Sequence, residues 1–261
     1  MFPIYQNNNG PAYKIHCTES WGTCSIEGQS IRLLSGMLPE GATPSGCSGD
    51  CHLAFINNGN EYDLWATQWP PSGQTLNVGW GGVCSLSGPG YSSCASTATG
   101  TALSQGIVRA SDLLLAAQNG GTLPYALQAA VNCSDGHVAP FTGSDGHCSG
   151  GAPQGERAYL ALHDSDINAT SLSAIAKALL RTVDEDHYGM IVTDTNGGAS
   201  GFSLQEENDT TYTALGLPGP WVSQFVPEAQ NEGLSVTDYN NLYTVTIPFD
   251  GIDLQDDMKF L

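Results

Sequence analysis

The residues best suited to chemistry lie between Cys51 and Trp69, in CHLAFINNGNEYDLWATQW. Asn57-Asn-Gly-Asn60 is a hairpin turn signal, because Asn-Gly tolerates the positive φ that a two-residue turn demands. Pairing across that turn puts Ile56 opposite Glu61, Ala54 opposite Asp63, His52 opposite Trp65 and Asp50 opposite Thr67. Side chains alternate along a strand. Asp50, His52, Glu61, Asp63 and Trp65 therefore share one face with Ala54 and Ile56, while Leu53, Phe55, Tyr62 and Leu64 form an apolar core face. Acids, an imidazole and an indole on one surface, with Trp69 and Trp80 further along, suit a carbohydrate cleft. Aromatic rings stack on the C–H faces of sugars, and carboxylates and imidazoles bind hydroxyls. The alternative is a solvated outer face, but such faces normally mix both charge signs, and this stretch has neither Lys nor Arg.

The chemistry expected of that cleft is glycoside hydrolysis by one protonated and one ionised carboxyl group. Glu61 and Asp63 are the expected acid/base pair, His52 and Asp50 orient them, and Trp65, Trp69 and Trp80 stack sugar rings. Two positions along a strand separate the acids by about 7 Å, nearer an inverting than a retaining pair. EYDLW resembles the E-x-D-x-x-E strand of retaining jelly-roll glucanases. Ala66 and Thr67 stand where the last Glu falls, so that mechanism is not carried over. Two other functions fit the same face: non-catalytic sugar binding or surface assembly, and a polysaccharide lyase using His52 with a Tyr.

Those residues need a rigid, stapled β framework, and the rest of the chain is suited to supply one. The 261 residues include 32 Gly and 14 Pro, spread as turns between short strands, and a 40% apolar content sufficient for a substantial core. Eight cysteines fall into four close pairs, Cys17/Cys24, Cys47/Cys51, Cys84/Cys94 and Cys133/Cys148, the pattern of local disulfides in an oxidising compartment. Cys47-SGD-Cys51-His52 has zinc-like spacing but no second ligand pair. MFPIYQNNNG lacks the basic start and apolar stretch of a leader, so a mature secreted chain is expected. No apolar run approaches the roughly 20 residues of a membrane helix.

Charge narrows the partners. Twenty-six acidic residues against 7 basic ones give a net charge of −19, which repels nucleic acid and acidic membranes. Anionic glycans would need a local patch from Arg32, Arg109, Arg157 or Arg181. A mostly neutral polysaccharide or oligosaccharide is the expected partner, with no cofactor. Structural calcium could gather at Asp250, Asp253, Asp256 and Asp257 in the tail; Asp164-x-Asp166-x-Asn168 begins like an EF-hand but lacks its Gly and its bidentate Glu.

The expected fold is mainly β with two or three helices, a single disulfide-stapled β-sandwich or jelly-roll-like domain over residues 1–261. Strands are expected in AYKIHC, QSIRLLSG, ERAYLALHDSD, GMIVTDTNGG, SGFSLQEEN and NLYTVTIPF. IVRASDLLLAAQNGG and SLSAIAKALLRTVDEDHYG carry apolar residues at helical spacing and end at Gly120 and Gly189. Residues 70–105 are expected to form a long Gly/Ser-rich loop, and the repeated Ser-Asp-Gly-His at 134–137 and 144–147 reads as two turns.

The order of CHLAFIN, EYDLW, TATGTALSQGIVRASDL, LPYALQAAV, PQGERAYLAL and IAKALLRTVDEDHYGMIVTDTNGG resembles a group of secreted bacterial proteins, mostly from soil organisms. That group carries an Asp-x-His strand, a Tyr-acid-x-Trp strand, a Gly-hydrophobic-hydrophobic-Arg helix start, and a helix ending in Tyr-Gly before a strand ending in Asp. The resemblance implies a secreted β-sandwich, often accompanied by carbohydrate-binding modules, with no defined activity. It marks Asp50, His52, Asp63, Trp65, Arg109 and Asp194 as positions of interest without roles. Asp194 precedes Thr-Asn-Gly-Gly and also suits a turn-capping role.

Overall fold

The structure is a computed structural model. It describes residues 3–6, 11–21, 23–32, 52–68, 72–91, 94–197, 202–213, 216–239, 242–254 and 257–260. Asp50, Trp69, Cys47 and Cys51 lie outside the described residues, as does Asp256.

The chain is mainly β, with several sheets. The first half contains β1 (Ile4–Gln6), β2 (Ala12–Cys17), β3 (Ser30–Arg32), β4 (Leu53–Asn57), β5 (Asn60–Trp65), β6 (Thr75–Val78) and β7 (Trp80–Ser85). They form two sheets, ordered β1-β4-β5-β7 and β3-β2-β6. One apolar core joins them: Tyr5, Leu53, Phe55 and Leu64 from the first sheet pack with Ile15, Ile31, Leu76 and Val78 from the second. Two sheets sharing one core are compatible with a sandwich. The β4–β5 turn has positive φ at both Asn58 and Gly59, the primed geometry that matches strand twist.

The second half adds a layer that a plain sandwich does not have. After α1 (Ala110–Asn119) come β8 (Leu127–Val131), β9 (Ser134–His137), β10 (Ala152–Gln154), β11 (Arg157–Leu160), α2 (Asp164–Ala169), α3 (Ala174–Val183), β12 (Met190–Thr195) and β13 (Phe202–Leu204). Next are α4 (Thr210–Thr213), a π-helical turn Trp221–Phe225, α5 (Val226–Asn231), β14 (Ser235–Tyr239), β15 (Leu242–Thr246) and β16 (Met258–Phe260). A five-stranded mixed sheet, β13-β8-β12-β11-β16, packs against α1, α3 and α5. Two or three helices were expected; the described residues contain five α-helices, of which α1 and α3, each of 10 residues, are the two legible from periodicity. The other three are too short to show a repeat.

Local chemistry explains the helix ends. Ala110, Leu113, Leu114 and Ala117 give α1 its buried stripe, and Gly120 stops it in the left-handed region. Ser173 caps α3 by accepting from the Ala176 amide at 3.1 Å. α3 ends at Val183, six residues before the expected Gly189, because Asp184, Glu185 and Asp186 would place negative charge at the negative end of the helix dipole. Asp184 instead turns to extended backbone and bridges to Leu160.

Among the described residues, three disulfides close short loops: Cys17–Cys24, Cys84–Cys94 and Cys133–Cys148. The first Ser-Asp-Gly-His is a strand, β9, and not a turn; it pairs with β10, and Asp135 bridges to His147 of the second copy. Among the described residues, no helix is long and apolar enough to cross a membrane.

Candidate functional site

The hairpin register is the expected one: Ile56 pairs with Glu61, Ala54 with Asp63 and Leu53 with Leu64. Glu61, Asp63 and Trp65 therefore alternate onto one face of β5, and His52 precedes β4 on the neighbouring strand. That face was expected to be an open groove, and over its acids it is closed. The loop of residues 94–104 lies across it, held by the Cys84–Cys94 disulfide. Gly82, the cross-strand partner of Asp63, permits the approach: a Cβ there would collide with the Cys94 carbonyl oxygen. Leu103 and Ile107 cover Ala54 and Ile4.

The acids are anchors for this cover. Glu61 and Asp63 have 0% exposure and His52 has 4%. Asp63 Oδ2 accepts from the Leu103 amide at 3.0 Å, and Glu61 Oε1 accepts from the next amide, Ser104, at 2.7 Å. The Ser104 hydroxyl donates to Glu61 Oε2. The His52 ring nitrogen Nδ1 lies 3.1 Å from the Ser96 hydroxyl. The loop is also knit internally: Thr97 Oγ1 accepts from the Thr101 amide at 2.7 Å, and Thr99 and Thr101 share hydroxyls at 2.9 Å. Burial, then the neighbouring Glu61 carboxylate, holds Asp63 well above the usual carboxylate range, while the amides of Leu103 and Ser96 pull it down. A carboxyl group raised in this way beside a second one is the electronic arrangement of an acid/base pair. Enclosed as it is, this pair meets backbone amides and the Ser104 hydroxyl, and no solvent.

Ser104 extends the network to Arg109, which donates from Nη2 to the Ser104 carbonyl at 2.9 Å. Arg109 is the N-cap of α1, and its guanidinium also faces Asp112 at 3.8 Å and Glu207 at 4.0 Å. Tyr125 donates to Asp112 at 2.7 Å and Tyr212 to Glu207 at 3.1 Å. Burial pushes Glu207 upward and Arg109 opposes it. Burial, followed by Glu207, pushes Tyr212 to about 12. Arg109 thus joins the covering loop to the second half of the chain. Asp194 lies on a different sheet, in β12 opposite Ala130, and accepts from the Thr195 amide at 2.9 Å.

The solvent-facing feature is aromatic. Trp65 and Trp80 are cross-strand partners. Trp21, in the Cys17–Cys24 loop, packs on both, with ring centroids 5.0 Å from Trp65 and 6.2 Å from Trp80. Trp21 is 65% exposed, and the other two are half-buried. Gly79 admits the Trp65 ring, whose carbons would lie 2.7 Å from a Cβ at that position. Asn77 donates from its side-chain amide to that of Gln68 at 3.3 Å, and this bond is exposed. Trp21, Ser96 and Ser104 were not among the sequence candidates. A tryptophan inside a seven-residue cysteine spacing was the available signal for Trp21.

Among the described residues, one group of metal-ligating side chains assembles, Asp164, Asp184 and His187; the tail aspartates Asp250, Asp253 and Asp257 are not part of it. No family model, curated protein or solved structure matches the chain.

Proposed function

We propose that this is a secreted, non-catalytic carbohydrate-binding protein that holds a mostly neutral polysaccharide on Trp21, Trp65 and Trp80. The observation that carries this is the exposed indole of Trp21, fixed against two partner indoles by a disulfide loop and a strand pair. A preorganised aromatic surface binds without an ordering cost, and the Gln68 and Asn77 amides offer uncharged partners for hydroxyls. Burial of Glu61 and Asp63 favours binding over hydrolysis by those two groups, since a glycosidic oxygen must reach the acid that protonates it. The disulfides support an oxidising, extracellular setting.

The test is retention on a panel of insoluble and soluble polysaccharides, with product analysis alongside. Trp21→Ala and Trp80→Ala should each weaken binding by about tenfold, matching the 1–3 kcal/mol of a stacked ring, with the thermal midpoint little changed for the exposed Trp21. Retention unaffected by either substitution would refute the assignment. Release of new sugar ends that disappears in Asp63→Asn would instead make the buried acids the acting groups.

A further inference from the structure

We infer that Asp164, Asp184 and His187 form a binding site for one divalent transition-metal cation of the zinc class, joining the start of α2 to the turn between α3 and β12. Ligand atoms from the three side chains lie within 4.8 Å of one another, so one ion can reach all of them. The independent sign of a missing partner is at Asp184. This residue is completely buried, its Oδ1 is used by the Asp186 amide at 3.1 Å and by His187 Nδ1 at 2.8 Å, and its Oδ2 has no hydrogen-bond partner. A buried carboxylate oxygen left unpaired is costly. Asp164 Oδ1 is likewise shielded and without a hydrogen bond.

The surrounding charges leave room for a dication. Arg181 Nε lies 3.5 Å from Asp164 Oδ1, but the guanidinium also donates to Asn168. His163 is occupied on the outside by Glu185 at 3.0 Å and Asp186 at 3.2 Å, and Asp166 is bound to the His163 amide at 3.1 Å. Five carboxyl groups, at 164, 166, 184, 185 and 186, thus meet one arginine and two histidines. The donor set chooses the metal. Calcium takes six to eight oxygens, whereas two carboxylate oxygens and one imidazole nitrogen, with water in a fourth position, suit zinc.

The experiment uses the full chain, stripped with a chelator and titrated with Zn²⁺ by calorimetry, then with Co²⁺ followed by its visible d–d bands. One equivalent of Zn²⁺ should bind with micromolar or tighter affinity, and Co²⁺ should give the intense bands of low coordination number. His187→Ala, at a partly exposed position, and Asp184→Asn should each weaken binding by at least about tenfold. His163→Ala should leave it within about twofold. The His187 variant decides the matter if Asp184→Asn does not fold. Weak binding of several equivalents indifferent to His187, saturable binding of Ca²⁺ without Zn²⁺, or loss of binding in His163→Ala alone would each overturn the site.

Discussion

Burial next to another acid raises the pKa of Asp63 well above the usual carboxylate range, and this makes the covering loop sensitive to pH. Its folded value lies well above that of the unfolded chain, with burial the larger cause and Glu61 the next. A group raised in this way stabilises the fold fully below its unfolded value, and that contribution is lost as pH rises through the folded value. Asp63→Asn keeps an oxygen to accept from Leu103 and adds an amide donor toward Glu61, with no proton to lose. The thermal midpoint of the wild type should therefore fall relative to Asp63→Asn as pH is raised from 5 to 9, because the stabilising term changes by up to about 1.4 kcal/mol per pH unit. A constant difference between the two proteins over that range would show that Asp63 ionises normally and does not hold the loop through its proton.

The loop of residues 94–104 is an element without a repeating structure, and it decides what the sheet beneath it can do. Gly82 and the Cys84–Cys94 disulfide set how closely it sits. In Gly82→Ala the new methyl carbon meets main-chain atoms of Cys94 and Ala95, which have no rotamer by which to yield. The substitution should cost about 2–3 kcal/mol, and amide exchange at Leu103 and Ser104 should accelerate while that of β4 is less affected. Unchanged exchange at those two amides would mean that the cover does not depend on this contact. The hairpin under the loop was legible in the sequence because Asn-Gly fixes its own turn and the alternation of Leu53, Phe55, Tyr62 and Leu64 fixes its core side. The cover was not legible. Glu61 and Asp63 each accept from an amide 40 or more positions away, and backbone donors leave no mark on residue type. An acidic face free of lysine therefore read as a cleft, although it is an anchorage. α1 and α3 could be read from their apolar spacing, whereas Gly189 misled because the acidic run after Val183 stops the helix first. Trp21 joined its partners only through the disulfide and the Trp65–Trp80 pairing, both tertiary facts.

Across the whole molecule, the net charge of −19 and the fate of the arginines limit what the aromatic surface can bind. Arg109 is committed to Ser104, Asp112 and Glu207; Arg157 donates to the carbonyls of Tyr188 at 3.0 Å and His187 at 2.8 Å; Arg181 holds Asn168 and Asp164. These three guanidiniums serve internal acceptors, so they do not form a patch for a carboxylated or sulfated glycan. Recognition by stacked indoles and neutral amides involves no net charge on the ligand, and salt screens only charges. Affinity for a neutral polysaccharide should consequently change by less than about twofold between 20 and 500 mM NaCl. Under the same conditions an anionic polysaccharide should be excluded at low salt, where the field of the acidic surface reaches furthest. Both can be read by depletion assays on matched neutral and carboxylated polymers. Strong retention of the anionic polymer at 20 mM NaCl, released at 500 mM, would show a cationic contact stronger than the total charge and would remove the neutral-ligand assignment.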